Sequence, residues 1–197
     1  MEAFTVMTAV AAPMLRDNID TDIIIPSREM KTVSKTGLSA GLFAGWRYTA
    51  IGGREPNIEF VLNQPAYAGT RILLGGSNFG CGSSREHAVW ALYDYGFRCV
   101  VSSFFADIFK NNCLNIGVLP VTISAEFADI LFAAIAADPT TTVEINLPQQ
   151  TITLLATGAS ESFDINEYKK DNMQHGFDDI DYLINMSAEI EGFEASR

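Results

Sequence analysis

The feature that most restricts the fold of this chain is a regular alternation of short apolar runs and helical patterns. The predicted elements run in the order strand 71–76, helix 86–95, strand 99–102, helix 104–112, strand 117–121 and helix 125–137. The strand runs are apolar and accompanied by glycine, and the helix runs carry apolar side chains three and four positions apart. Because parallel strands are joined by crossover helices, this alternation predicts an α/β fold with a parallel central sheet.

The remaining segments extend this core without dividing it. Further predicted elements are strands at 4–12 and 19–25, a hairpin of 141–147 and 150–156, and helices at 166–174 and 178–188. No linker or repeat is visible, so residues 1–197 are predicted to form a single domain, with residues 160–197 as C-terminal helices. The stripe Ile180, Leu183, Ile184 and Ser187 on the last helix is expected to pack in the core.

The charge of the chain argues against one class of partner. Its 197 residues carry a formal net charge of −11, with a sequence pI near 4.5. Such a surface repels phosphate backbones, so no nucleic acid partner is expected. No segment has the roughly 20 apolar residues that span a bilayer, and no targeting sequence is visible. No membrane partner is therefore expected.

The cysteines favour a reducing environment. Cys81, Cys99 and Cys113 are odd in number, and none belongs to a Cys-x-x-Cys pair. Neither a disulfide framework nor a self-contained zinc or iron–sulfur site is expected, so the predicted metal ligands are none. Three reduced thiols in a cytoplasmic protein are the simplest interpretation.

A basic, glycine-rich segment covers residues 27–57. It lacks the periodicity of helices and strands, and its cations are Arg28, Lys31, Lys35, Arg47 and Arg54. A stretch of this length without regular structure is typically functional or disordered. We therefore predict a mobile loop region there, with one short helix near residues 38–44.

The segment whose residues are best suited to binding or catalysis joins the first predicted strand of the alternation to the helix that follows it. It reads Gly80-Cys81-Gly82-Ser83-Ser84-Arg85-Glu86-His87. Glycine lets the backbone approach a ligand closely, a helix start presents unpaired amides, and Arg85 can bind a carboxylate through two hydrogen bonds. The pattern predicts an anion site. A second interpretation stays open, because Ser83 and Glu86 have the spacing of a helix capping box.

Other catalytic uses of such a turn fit the residues poorly. A P-loop requires a lysine, and none lies between Thr70 and Lys110. A dinucleotide loop requires glycine where this chain has Arg85, and the Gly-x-Ser-x-Gly spacing of a hydrolase nucleophile is missing. A thiol enzyme using Cys81 and His87 is disfavoured, because the two side chains would point along different faces.

The run Gly-x-Gly-Ser-Ser-Arg-Glu-His-Ala at residues 80–88 resembles the signature of the swivelling domain of the aconitase superfamily. Two further segments are similar to that family and follow the same order, residues 17–26 (Asp-Asn-Ile-Asp-Thr-Asp-Ile-Ile-Ile-Pro) and residues 176–181 (Gly-Phe-Asp-Asp-Ile-Asp). The resemblance implies a three-layer β/β/α swivelling domain with a second, antiparallel sheet. It also implies a hydro-lyase that isomerises a hydroxy acid with a large partner subunit, on which a [4Fe-4S] cluster is expected.

The resemblance assigns roles to individual residues. It implies that Ser83 is the general base, with its alkoxide form stabilised by the helix end and Arg85. Ser84 and Arg85 would bind a substrate carboxylate, Asp22 would line the site, and Arg28 would contact the substrate. The supporting turn residues would be Gly80, Gly82, Glu86 and His87. No cofactor bound by this chain itself is expected.

Several alternatives stay open at this point. A related hydro-lyase acting on homocitrate or a methyl-substituted malate would contain the same motifs. A non-catalytic anion-binding or assembly module would use Ser83 only as a helix cap. Asp22 and Arg28 are also consistent with ordinary solvent-exposed charges that do not contact a substrate. The contact with the large subunit is expected around the loops of the active site.

Overall fold

One strand, β1 (Val6–Met14), is the element on which the whole sheet is built. The protein is described by a computed structural model covering residues 1–31 and 34–196. Residues 11–14 of β1 pair in parallel with β2 (Ile72–Gly75), whereas residues 6–10 pair antiparallel with β5 (Thr142–Asn146). β1 therefore belongs to a parallel sheet at one end and to an antiparallel sheet at the other.

The sheet continues outward from β1 in both directions. The other strands are β3 (Cys99–Ser102), β4 (Leu119–Thr122), β6 (Thr151–Leu154) and β7 (Ala159–Ser162). Across the described residues the order is β4-β3-β2-β1-β5-β6-β7, parallel from β4 to β1 and antiparallel from β1 to β7. The predicted α/β fold with a parallel central sheet is confirmed, and the antiparallel part is joined to it through β1.

Burial explains why the two halves of the sheet differ in sequence. Every residue of β2 and β3 is buried, as is typical of parallel strands that are covered on both faces. In β5, buried Val143 and Ile145 alternate with partly exposed neighbours, so one face of that strand remains near solvent. β7 reads Ala-Ser-Glu-Ser and has no apolar run, so it was not predicted as a strand.

Helices connect the strands and cover the sheet. They are α1 (Thr21–Ile24), α2 (Ala44–Arg47), α3 (Glu86–Tyr95), α4 (Asp107–Ile116), α5 (Ala125–Ala137), α6 (Glu167–His175), α7 (Asp179–Asn185) and α8 (Ser187–Ala195). α3 and α5 have the predicted bounds, and α3 and α4 pack on each other. None of the helices in the described residues has the length and apolar character to cross a membrane.

The second helix of the alternation begins at Asp107 rather than at residue 104. The backbone before it is already paired, because the Phe79 N–H donates to the Phe104 carbonyl (3.0 Å) and the Ala106 N–H donates to the Phe79 carbonyl (3.1 Å). These bonds hold residues 104–106 in an extended conformation, so the helix can form only after them.

The prediction of a strand at residues 19–25 is wrong, because this segment contains helix α1. The Asp20 carboxylate caps that helix and accepts a hydrogen bond from the Ile23 N–H at 2.7 Å. Ile24 and Ile25 are fully buried, which gives the segment the apolar run of a buried strand. The aspartate at the cap position decides the local structure in favour of the helix.

The C-terminal helices depart from the prediction in two ways. The helix predicted at residues 178–188 is divided into α7 and α8. The stripe expected in the core is exposed, with fractions of 67% for Ile180, 57% for Leu183 and 63% for Ile184, and Ser187 is exposed as well. α7 contacts the rest of the protein through its first turn, where Asp179 accepts a hydrogen bond from Lys169 at 2.9 Å. Its apolar face is therefore directed away from the core.

Residues 27–57 contain several short ordered elements. These are 3-10 turns at Ser27–Glu29 and Ser39–Gly41, followed by α2. The helix predicted near residues 38–44 corresponds to the second turn, which is anchored by the buried Leu42. Residues 32 and 33 lie outside the described part of the chain, and the mobility of the segment stays a prediction.

Ser124→Ala is expected to lower the free energy of unfolding by about 1 kcal/mol, because the Ser124 hydroxyl caps α5 by accepting the Phe127 N–H at 3.1 Å. The same hydroxyl donates to Glu161 of β7 at 2.6 Å. Urea denaturation followed by circular dichroism measures the change. Ser162→Ala, at an exposed position of β7, is the control, with an expected change below about 0.5 kcal/mol. Equal losses in the two variants would contradict the capping role.

Candidate functional site

Two segments that are far apart in the sequence meet where β1 and β2 end. The Gly80 N–H donates to the Ile19 carbonyl (2.8 Å), and the Thr21 N–H donates to the Cys81 carbonyl (2.9 Å). The Thr21 hydroxyl also donates to the Ser83 carbonyl (2.9 Å). These bonds hold the turn between β2 and α3 against the segment that leads into α1. The two segments therefore form one continuous surface.

Close packing makes glycine necessary in this turn. Gly80 and Gly82 have φ angles of 75° and 92°, in the region that residues with side chains rarely adopt. A Cβ atom on Gly80 would lie 2.1 Å from Cγ of Phe109, a buried residue of α4. At Gly82 it would lie 3.3 Å from Cβ of Asp20. The turn is thus packed between α4 and the cap of α1.

Ser83 and Ser84 are exposed, and neither caps the helix that follows them. α3 begins at Glu86 and has Arg85 at its N-cap position, with no side-chain capping bond among the described residues. The Arg85 N–H donates to the Ser83 carbonyl at 2.7 Å, so Ser83 lies in a tight turn before the helix starts. The capping-box interpretation of Ser83 and Glu86 is therefore wrong.

A cavity of about 250 Å³ lies beside this turn. On the motif side it is lined by Thr21, Ser83, Ser84 and Arg85, and on the α4 side by residues that include Asp107 and Asn112. Sequence reasoning missed Asp107 and Asn112, because no local motif marks them and α4 was predicted to start too early. The one sequence feature that could have indicated them is the polar character of α4, the helix that follows β3.

Asp22 and Arg85 form an ion pair across the two segments. Nη1 of Arg85 donates to Oδ1 of Asp22, which also accepts a hydrogen bond from the Ser27 hydroxyl at 3.3 Å. The side chain of Arg85 is 26% exposed and that of Asp22 is 54% exposed. A guanidinium has five N–H donors, so this pair leaves others that can bind a second carboxylate. The structure thus brings Asp22 and Arg85 together close to Ser83.

Arg28 lines a different cavity, of about 470 Å³, which it shares with Asp22. Its Nε lies 3.4 Å from Oε1 of Glu29. The Glu29 side chain is only 7% exposed and also accepts a hydrogen bond from Arg54 at 2.6 Å, and this bond raises the pKa of Arg54. Glu29 was not singled out from the sequence, which contains no sign that this carboxylate is buried between two arginines.

The other motif residues have distinct surroundings. Glu86 is exposed in the first turn of α3, and the His87 ring packs 4.6 Å from the ring of Trp90. Burial raises the pKa of the Cys81 thiol, and the nearby Asp20 carboxylate raises it further. A raised pKa keeps the thiol protonated at neutral pH, whereas thiol catalysis requires the thiolate.

The remaining cysteines are inaccessible to ligands. Cys99 and Cys113 are free and fully buried, and burial raises the pKa of both thiols. Within residues 1–31 and 34–196, no group of three or more His, Cys, Asp or Glu side chains is arranged to hold a metal ion. Thiolate ligation by Cys99 or Cys113 would require the core to open.

Gly80→Ala is expected to lower the free energy of unfolding by at least about 3 kcal/mol, because the added methyl group meets Phe109 and the positive φ is also unfavourable. Gly158→Ala is the matched control, since Gly158 has a φ of 74° and nothing within 4 Å of the added Cβ. Its expected loss is only about 1–2 kcal/mol. Urea denaturation measures both variants, and similar losses would show that the contact with Phe109 is unimportant.

Cys81 is expected to react slowly with iodoacetamide near neutral pH, because its raised pKa leaves little thiolate. The rate is expected to keep rising with pH above roughly 8.5, the midpoint of an unperturbed thiol. Mass spectrometry of the labelled native protein measures the rate, and Cys81→Ser provides the background from Cys99 and Cys113. A labelling midpoint below that of a free thiol would contradict the expected shift.

Comparison with known proteins gives matches along nearly the whole chain. A family model described as the Aconitase C-terminal domain matches residues 1–126, and one described as LeuD_N matches residues 129–167. The 3-isopropylmalate dehydratase small subunit of Cytophaga hutchinsonii is 47% identical over 194 residues, covering 98% of this chain and 95% of that protein. The protein of the same name from Christiangramia forsetii is 49% identical over 197 residues, covering 100% and 95%.

A solved structure shows the same fold. The crystal structure of 3-isopropylmalate dehydratase from Methanocaldococcus jannaschii matches with a TM-score of 0.66 and 22% sequence identity. The match covers 95% of this chain and 98% of that one. The shared fold therefore includes both the parallel and the antiparallel parts of the sheet.

Proposed function

The chain belongs to the family of 3-isopropylmalate dehydratase small subunits, and from that premise we propose that it forms one part of an active site that interconverts 2-isopropylmalate and 3-isopropylmalate. The reaction removes water from the hydroxy acid and adds it back in the other orientation, as a step in leucine biosynthesis. One observation carries the proposal: Ser83 is exposed, does not cap α3, and lines the same cavity as Arg85, which pairs with Asp22.

Ser83 is the proposed general base, which removes the proton from the carbon next to the leaving hydroxyl. A free serine hydroxyl is far too weakly acidic to act as an alkoxide at neutral pH, so its surroundings must stabilise the negative charge. The amides at the start of α3 and the guanidinium of Arg85 are the groups available for this. The helix has ten residues, so its positive end is well developed.

Ser84 and Arg85 are the proposed ligands of a substrate carboxylate. Both line the 250 Å³ cavity with Ser83, and Arg85 keeps donors that its contact with Asp22 does not use. In this proposal Asp22 orients Arg85 and the proton-transfer group. Arg28, in the 470 Å³ cavity that Asp22 also lines, contacts the other end of the substrate.

The proposed partner is the large subunit of the same dehydratase, in a cytoplasmic heterodimer that closes over the loops of the active site. We propose that this partner carries a [4Fe-4S] cluster, which when bound supplies a Lewis acid for the leaving hydroxyl. The burial and raised pKa of Cys99 and Cys113 support this division of labour, because such thiols are poorly suited to bind iron.

Residues 1–197 are proposed to act as one swivelling unit, with residues 27–57 as its substrate loop. The continuous sheet supports a single unit, and the position of Arg28 beside Asp22 supports the role of the loop. A related hydro-lyase acting on homocitrate or a methyl-substituted malate would use the same Ser83 and Arg85. In that case the loop would be the part that selects a different substrate.

Ser83→Ala is expected to lower kcat by about 10³-fold, because the variant lacks the hydroxyl that is proposed to remove the proton. The purified chain is combined with a cognate, iron-reconstituted large subunit, and formation of isopropylmaleate is followed by its ultraviolet absorbance. The free energy of unfolding and the affinity for the large subunit are expected to stay near the wild-type values, since the Ser83 side chain caps no helix.

Ser84→Ala is the matched control, with an expected increase of KM that exceeds its effect on kcat. Wild-type turnover in Ser83→Ala would refute the role of Ser83 as the base. Absence of turnover by the wild-type chain with every iron-reconstituted large subunit would refute the proposed reaction itself.

A further inference from the structure

Trp46 belongs to none of the sequence motifs, but it shares a cavity with Asp22 and Arg28. It lines the 470 Å³ cavity together with Asp22, Ile23, Pro26 and Arg28. Of its seven lining residues, Trp46, Ile23 and Pro26 are apolar and Asp22 and Arg28 are charged, so this cavity combines an apolar wall with groups that attract a polar ligand. Asp22 connects it to the catalytic turn through the ion pair with Arg85.

The Trp46 ring is fixed by its neighbours. The ring of Phe43 is stacked parallel to it with centroids 6.1 Å apart, and the ring of Phe60 is tilted against it at 6.3 Å. The guanidinium of Arg16 lies 4.6 Å from the centroid of the indole, within the range of a cation–π contact. A ring held by three partners presents a surface of defined shape.

The backbone ties this ring to the helix that carries Asp22. Phe43 has a φ of 49°, which is rare for a bulky residue and persists only where the surrounding structure enforces it. Its N–H donates to the carbonyl of Ile24 in α1 at 2.7 Å. Because α2 begins directly after Phe43, this bond sets the position of Trp46 relative to Asp22.

We propose that Trp46 is a specificity-determining residue, whose indole, with Ile23 and Pro26, bounds the space for the branched alkyl group of the substrate. The inference rests on the proposed function. A malate with an isopropyl substituent has carboxylates for Arg85 and Arg28 and one apolar group that needs an apolar wall. Each methylene group that such a wall accepts or excludes changes kcat/KM by roughly 10- to 200-fold.

The experiment measures kcat/KM of the assembled enzyme on malates that carry a methyl, an isopropyl or a tert-butyl group. In Trp46→Ala the preference for isopropyl over methyl is expected to fall at least about tenfold, and the relative activity on the tert-butyl compound to rise. Trp46→Phe is expected to change the same ratios by a smaller factor. Ile58→Ala, at a 76% exposed position, is the control and is expected to keep the wild-type ratios.

The possible outcomes separate this inference from the proposed function. Wild-type turnover of the isopropyl compound, with unchanged ratios in Trp46→Ala, would overturn the role of Trp46 and leave the proposed function standing. No wild-type turnover on any of the three compounds would overturn both. If thermal unfolding shows that Trp46→Ala is misfolded, Trp46→Phe decides, because it keeps an aromatic ring against Phe43 and Phe60. Wild-type ratios in that variant would also overturn the inference.

Discussion

The backbone hydrogen bonds between the segment before α1 and the turn after β2 are the constraint on which the site depends. These bonds pair Ile19 with Gly80 and Thr21 with Cys81. Backbone bonds specify position without depending on side-chain rotamers, so the register between the two segments is fixed. Asp22 reaches Arg85 because the residue before it is already held.

The floor of the site is set by packing rather than by polar contacts. Gly80 approaches the ring of Phe109 so closely that a side chain has no room, and Phe79 pairs through its backbone with residues 104–106. The turn therefore rests on the start of α4, which also places Asp107 and Asn112 in the cavity wall. The turn that forms the polar surface thus packs against an aromatic cluster of Phe79, Phe105 and Phe109.

Sequence reasoning succeeded where local pattern and tertiary structure agree. The buried apolar strands and α3 lie where periodicity put them, because the same side chains satisfy both the local preference and the core. It failed where contacts between distant segments determine the local structure, since residues 104–106 are extended only because Phe79 pairs with them. It also failed at the stripe of Ile180, which is apolar but exposed. The approach of Asp22 to Arg85 was implied only by the resemblance to a family. No local rule could show that the Glu29 side chain is buried or that Trp46 lines a cavity with Asp22 and Arg28.

The double use of β1 has a consequence for how the chain folds. Its second half pairs with β2, but its first half must wait for β5, and Val6 lies opposite Asn146. Most of the sequence separates these two residues, so closing that contact costs considerable chain entropy and raises the contact order of the fold. During synthesis at the ribosome, the N-terminal strand therefore emerges long before its antiparallel partner. β1 gains this partner only after nearly three quarters of the chain has been made.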